Sequence, residues 1–159
     1  RLHVSVDEFG SSALHMQGVD GLDDFLKAMI ISALAKVKFP ADPSLNNQRE
    51  KWRIDTLKYL RAYDPDQFFS IVRKEMGSER VLIHIDEIGY LETRDCDRFF
   101  EGTDGDRSKE AVDEYAMGVY RMRQLESVVK SWLYVPNVHF YFSGKSMVSV
   151  VMSEGMECP

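Results

Sequence analysis

Cysteine is scarce in this chain. Cys96 and Cys158 are the two thiols among 159 residues. Two distant cysteines make neither a disulfide framework nor a four-ligand zinc site, and they point to a reducing, intracellular compartment, nuclear or cytoplasmic. No run of 18 apolar residues occurs, so no membrane-spanning helix and no membrane partner are expected. Positive charge is also in short supply: 20 Lys and Arg stand against 26 Asp and Glu, for a net charge of −6. That balance excludes a nucleic-acid surface spread over the whole chain, though not a local basic patch. Internal repeats and low-complexity tracts are absent. The sequence starts at Arg1 rather than Met and ends on Cys158-Pro159, which reads as a piece cut from something longer.

What is present suits one α/β domain spanning 1–159. Hydrophobic residues make up 44% of the chain, enough for a sizeable core. Leu2-His3-Val4-Ser5-Val6 alternates apolar and polar, the pattern of a strand over 2–6. Leu22, Phe25, Leu26, Met29, Ile30, Ala33, Leu34 and Val37 then recur at helical steps, with Asp20 or Asp23 as cap and Pro40 and Pro43 as terminators. A weaker helical pattern follows over 45–61, with Ile54, Leu57 and Leu60 on its apolar side. Asp64-Pro65-Asp66-Gln67 is a capping box that opens a further helix, and Gly77 stops it. Residues 80–86 form a second strand. Residues 92–110 are polar without clear period, which predicts an exposed, mobile insertion able to dock a protein partner. A long helix from Ala111 to Pro136, a strand over 138–142 and a helix over 147–152 complete the order. Alternation of this kind implies a parallel sheet with covering helices.

The chemistry concentrates at two strand ends. Val81-Leu82-Ile83-His84-Ile85-Asp86-Glu87 is an apolar run closed by two acids. The run predicts a strand buried on both faces, and the acids belong at the rim, where open α/β sheets bind ligands. This is the form of a Walker B segment. Asp86 is the candidate Mg²⁺ ligand, and Glu87 the candidate for orienting a water against a γ-phosphate. His84 shares a strand face with Asp86. It reads either as half of a His–Asp metal pair or as a hydrogen-bonded structural histidine, the commoner role.

Gly144-Lys145-Ser146 ends like a phosphate loop, but the position that needs the first glycine is His139, so it is not one. Ser143 closes the third strand as a candidate γ-phosphate sensor, with Lys145 as a weaker candidate nearby. The alternative is a strand-to-helix turn, bent at Gly144 and capped by Ser146. The acids of 92–110 miss calcium-loop spacing and read as solvated.

Val-Leu-Ile-His-Ile-Asp-Glu-Ile-Gly, a long helix, then His-Phe-Tyr-Phe-Ser-Gly-Lys-Ser resembles the ATPase module of the retrotransposon hot spot proteins and the related Crinkler-type effectors. The resemblance covers about residues 1–152 and rests on these two short segments. It implies a partial three-layer P-loop NTPase fold of strand order 5-1-4-3-2. This chain would supply strands 2, 3 and 4 and would lack the Walker A strand and loop. ATP and Mg²⁺ are then the implied cofactors, with hydrolysis only in a longer chain that brings Walker A within about 40 residues before Arg1. Association with nucleic acid follows from the resemblance alone. A non-catalytic interaction module on a degenerate NTPase fold is the alternative.

Overall fold

The computed structural model describes residues 1–6, 18–92, 99–100 and 114–144. Its chain order is strand β1 (Leu2–Ser5), helices α1 (Gly21–Lys38), α2 (Asn46–Leu60) and α3 (Pro65–Met76), strand β2 (Val81–Asp86), helix α4 (Glu114–Leu133) and strand β3 (Val138–Phe142). The fold is α/β, with a three-stranded parallel sheet in the order β1-β2-β3. The middle strand pairs Leu2 with Ile83 and Ile83 with Phe140. The helix expected over 147–152 lies outside the described residues.

Period-two alternation gives this sheet two unlike faces. Leu2, Val4, Val81, Ile83, Ile85 and Val138 are buried under helices, with Phe140 and Phe142 packed against the same core. The opposite face carries His3, Leu82, His84, His139 and Tyr141. Of these, only His84 is buried. Leu82 is 40% exposed, so β2 is not buried on both faces as its apolar run predicts. The reason is that no helix among the described residues covers that side, so these residues form two layers.

The first helix is the centre of the core. It packs against β1, α2, α3 and α4, so it is buried well beyond its apolar stripe. Lys27 and Ser32 are therefore enclosed, and each finds partners. Lys27 Nζ donates to the Tyr63 carbonyl at 3.1 Å and pairs with Asp23 at 2.7 Å, and Ser32 donates to the Ala28 carbonyl at 2.8 Å. Asp20 does stand at the N-cap position of α1, but its side chain makes no capping bond. In α2 the packed face runs through Trp52, Thr56, Leu57 and Leu60, leaving Ile54 52% exposed.

The start and stop signals of α3 are borne out in detail. Asp64 accepts from the Gln67 N–H at 2.9 Å while Gln67 accepts from the Asp64 N–H at 3.2 Å, and Gly77 closes the helix in the left-handed conformation at φ 62°. Within the stretch expected to be exposed, Phe99 and Phe100 are buried, and Phe99 stacks on Phe25 at 4.2 Å between centroids. The rest of 93–110 lies outside the described residues.

An aromatic cluster locks α3 and α4 onto β3. Phe69 meets Phe68 at 4.9 Å, Trp132 at 5.2 Å and Phe140 at 5.5 Å, all edge-on. Edge-on pairs add to the free energy of burial. Truncating a fully buried phenylalanine costs about 3–5 kcal/mol, a large part of the 5–15 kcal/mol that holds a typical domain folded. Phe69→Ala should therefore lower the urea midpoint sharply or unfold the chain at 37 °C. A midpoint within 0.3 M of the parent would show that the cluster contributes little.

Candidate functional site

The parallel register sets the site. His3 pairs with His84 and His84 with Tyr141, while Ser5 pairs with Asp86. Side chains of one register row share a face, so residues remote in sequence meet at the C-terminal rim of β2, on the side of the sheet that no described helix covers. The imidazole of His84 stands at the centre. Its Nδ1 lies 2.5 Å from an Arg1 guanidinium nitrogen and 3.1 Å from His3 Nδ1. Its Nε2 lies 2.7 Å from Ser143 Oγ, and that hydroxyl donates to Asp86 Oδ1 at 2.5 Å.

The tautomer follows from the partners. A guanidinium can only donate, so His84 Nδ1 accepts and the ring proton sits on Nε2. The sequence of bonds is then Arg1 N–H to His84 Nδ1, His84 Nε2–H to Ser143 Oγ, and Ser143 O–H to Asp86. Each donor has an acceptor and each acceptor a donor. Burial lowers the His84 pKa below its ordinary 6.5, and the Arg1 and His3 charges reinforce this against the opposing pull of Asp86. The Ser143 hydroxyl and the Glu87 N–H, both donating to Asp86, hold its carboxyl below the ordinary 3.8. Both bonds use Oδ1, and Oδ2 has no hydrogen bond among the described residues.

The backbone beyond the strands is as specific as the side chains. Ser143 N–H donates to the Ile85 carbonyl at 3.0 Å, and Ile88 N–H donates to the Ser143 carbonyl at 3.1 Å. These bonds carry the β2–β3 pairing past both strand ends. They draw Gly144 so close that a Cβ there would lie 2.8 Å from Glu87 Cα and 2.9 Å from Ile88 N. Gly144 also has φ 124°. Glycine is required here for close approach as well as for backbone conformation. Glu87 itself has φ 55°, uncommon for a residue with a side chain. It is held there by its own N–H bond to Asp86 Oδ1 at 2.9 Å. The turn presents the Glu87 side chain to solvent beside Asp86.

Of the expected site residues, Asp86 and Ser143 come into direct contact, and Glu87 adjoins them. Lys145 lies outside the described residues. His84, read as a structural or metal-pairing residue, is the hub of the hydrogen-bond chain. Sequence reasoning missed Arg1 and His3. The available signal was the alternation of 2–6, which puts His3 on the polar face of its strand. Comparison with protein-family models, curated proteins and solved structures finds no match to this chain. No helix among the described residues is long and apolar enough to cross a membrane.

Two predictions arise from this geometry. Below pH 6.5 the unfolded chain takes up a proton at His84 that the folded chain refuses until lower pH. Stability therefore falls as pH drops through that window, with a second loss below 3.8 from Asp86. Urea unfolding between about pH 7.5 and 5 should show the parent losing stability more steeply than His84→Gln. Parallel curves would contradict the buried neutral imidazole. Gly144→Ala should cost about 1–3 kcal/mol through strain at positive φ and collision with the Glu87 backbone. An unchanged thermal midpoint would contradict that close approach.

Proposed function

We propose that the C-terminal rim of the sheet is the Mg²⁺-binding and water-orienting half of a nucleoside triphosphate site, of the kind found in the ATPase module of the retrotransposon hot spot and Crinkler-type proteins. The observation that carries this reading is the Ser143–Asp86 hydrogen bond across the ends of two adjacent parallel strands, beside Glu87. The strand order β1-β2-β3 agrees with strands 2, 3 and 4 of such a sheet. A polar residue on the strand next to the acidic one is where that class senses the γ-phosphate.

Mg²⁺ takes few protein ligands, commonly one or two carboxylates with water and phosphate oxygens completing its shell. Asp86 fits that demand, since among the described residues Ser143 and the Glu87 N–H engage one of its oxygens and nothing engages the other. Its carboxyl, held below the ordinary 3.8, is anionic at neutral pH as a cation ligand must be. When bound, the ion would neutralise charge on the β- and γ-phosphates. Ser143 would hold Asp86 in place at the rim beside the γ-phosphate. Glu87, exposed on its left-handed turn, would orient the attacking water and accept its proton. The Walker A backbone and Lys, which hold the phosphates in this class, have no counterpart motif in the sequence. Catalysis thus needs a longer chain that supplies them. The alternative is a non-catalytic interaction module on the same architecture, and it draws on that same missing motif.

The test is turnover in a chain extended N-terminally through a phosphate loop. ATP should be hydrolysed, and Glu87→Gln should reduce the rate about 10²–10⁴-fold while leaving nucleotide affinity within a factor of three. Undiminished turnover in that variant removes Glu87 from the mechanism. An extended chain that neither binds nor hydrolyses ATP favours the interaction module.

A further inference from the structure

Two imidazoles stand beside the carboxylate assigned to Mg²⁺, and the nucleotide reading uses neither of them. The ligand-bearing atoms of His3, His84 and Asp86 all lie within 4.8 Å of one another. We propose that these three side chains form a site for a transition cation of the zinc class, on the sheet face that carries Leu82 and Tyr141, that fills without nucleotide.

Spacing is the first argument. Two nitrogens each about 2.0–2.1 Å from one ion at a tetrahedral angle are roughly 3.3 Å apart. His3 Nδ1 and His84 Nδ1 stand 3.1 Å apart, already at the spacing of two ligands on one ion. Asp86 supplies the third donor through a carboxylate oxygen.

Support behind the ligands is the second argument. A metal-binding histidine usually donates its other ring N–H to a fixed acceptor, which sets the ring and frees the coordinating lone pair. His84 does this through Nε2 to Ser143, and Ser143 in turn holds Asp86. Two of the three ligands are thereby pre-oriented by one hydroxyl. His3, the third, is exposed on its strand, so the site is open to solvent on that side.

Donor chemistry selects the ion. Imidazole suits zinc, cobalt and nickel, whereas magnesium and calcium take oxygen ligands. Two nitrogens and one oxygen with an open position match the sets that hold catalytic zinc. The competitor is Arg1, whose guanidinium occupies the His84 Nδ1 lone pair. Arg1 is exposed at the start of β1 and must swing aside for the ion to enter. Its removal should strengthen binding.

The test uses the untagged chain and the metal alone. Zn²⁺ should bind one per chain in calorimetry at about pH 7.5, with millimolar Mg²⁺ unable to displace it. Co²⁺ should give the intense visible absorption of a low-coordinate site. His3→Ala, at an exposed position that the core does not need, should weaken Zn²⁺ at least tenfold, and Asp86→Asn should do the same. Arg1→Ala should tighten it several-fold. His139→Ala removes an exposed imidazole from the same sheet face and should change nothing. Absent one-to-one binding, affinity unchanged in His3→Ala, or affinity lost in His139→Ala would each overturn the proposal. No nucleotide is present in these titrations. Their outcome is therefore read separately from the Glu87→Gln turnover, and either reading can fail without the other.

Discussion

The register of β2 between its two parallel neighbours is the constraint on which the site depends. Pairing His3 with His84 and His84 with Tyr141 aligns one polar row across three strands. A slip of one residue would turn every side chain to the other face. It would bury His84 and Asp86 among Phe69, Trp132 and Phe140, where an ionised carboxylate is costly. The apolar face therefore fixes the register, and the register assembles the polar face. Core packing and site geometry are two results of the same pairing.

Beyond the strands, the chain spends conformational freedom to hold that arrangement. Glu87 takes a left-handed backbone and Gly144 lies against it, so the two strand ends are bound by backbone as well as by Ser143. Departures of this kind concentrate where function needs a fixed geometry. Glu87 and Gly144 are two of them and lie beside Asp86, while Asn137, at φ 64°, precedes β3 at the other end of the sheet. The hydrogen-bond chain from Arg1 to Asp86 runs through neutral imidazole and hydroxyl groups, with a charge at either end. Its orientation is set by those two charges. A cation arriving at His84 Nδ1 would take the place of the guanidinium and keep the rest of the chain in its present sense.

Much of this was legible in the residues. The capping box at Asp64, the stop at Gly77 and the three strands are local signals, and each is met within a residue or two. Parallel pairing followed from the alternation of strands and helices. Asp86 and Ser143 were legible as rim residues because each ends an apolar run. What local pattern could not carry was pairing in space. His3 meets His84 only through the register of two strands some eighty residues apart, and no spacing rule along the chain contains that. The exposure of Leu82 was hidden for a related reason. An apolar run reports hydrophobicity on both faces of a strand, but whether a helix covers the second face is decided elsewhere in the chain. Lys27 and Ser32 are the converse case, polar residues enclosed because four elements pack around one helix.

The nucleotide and metal readings share Asp86 and Ser143, and the hydrogen-bond chain that orders those two residues requires His84 to be a neutral imidazole with its proton on Nε2 and its lone pair at Nδ1. Long-range nitrogen–proton correlation spectra of the His84 ring measure this directly. At neutral pH the account predicts a protonated Nε2 and an unprotonated Nδ1, with the Nε2 proton slowed in exchange by its bond to Ser143. A ring protonated at Nδ1, or charged at both nitrogens, would contradict the hydrogen-bond chain and the site built on it.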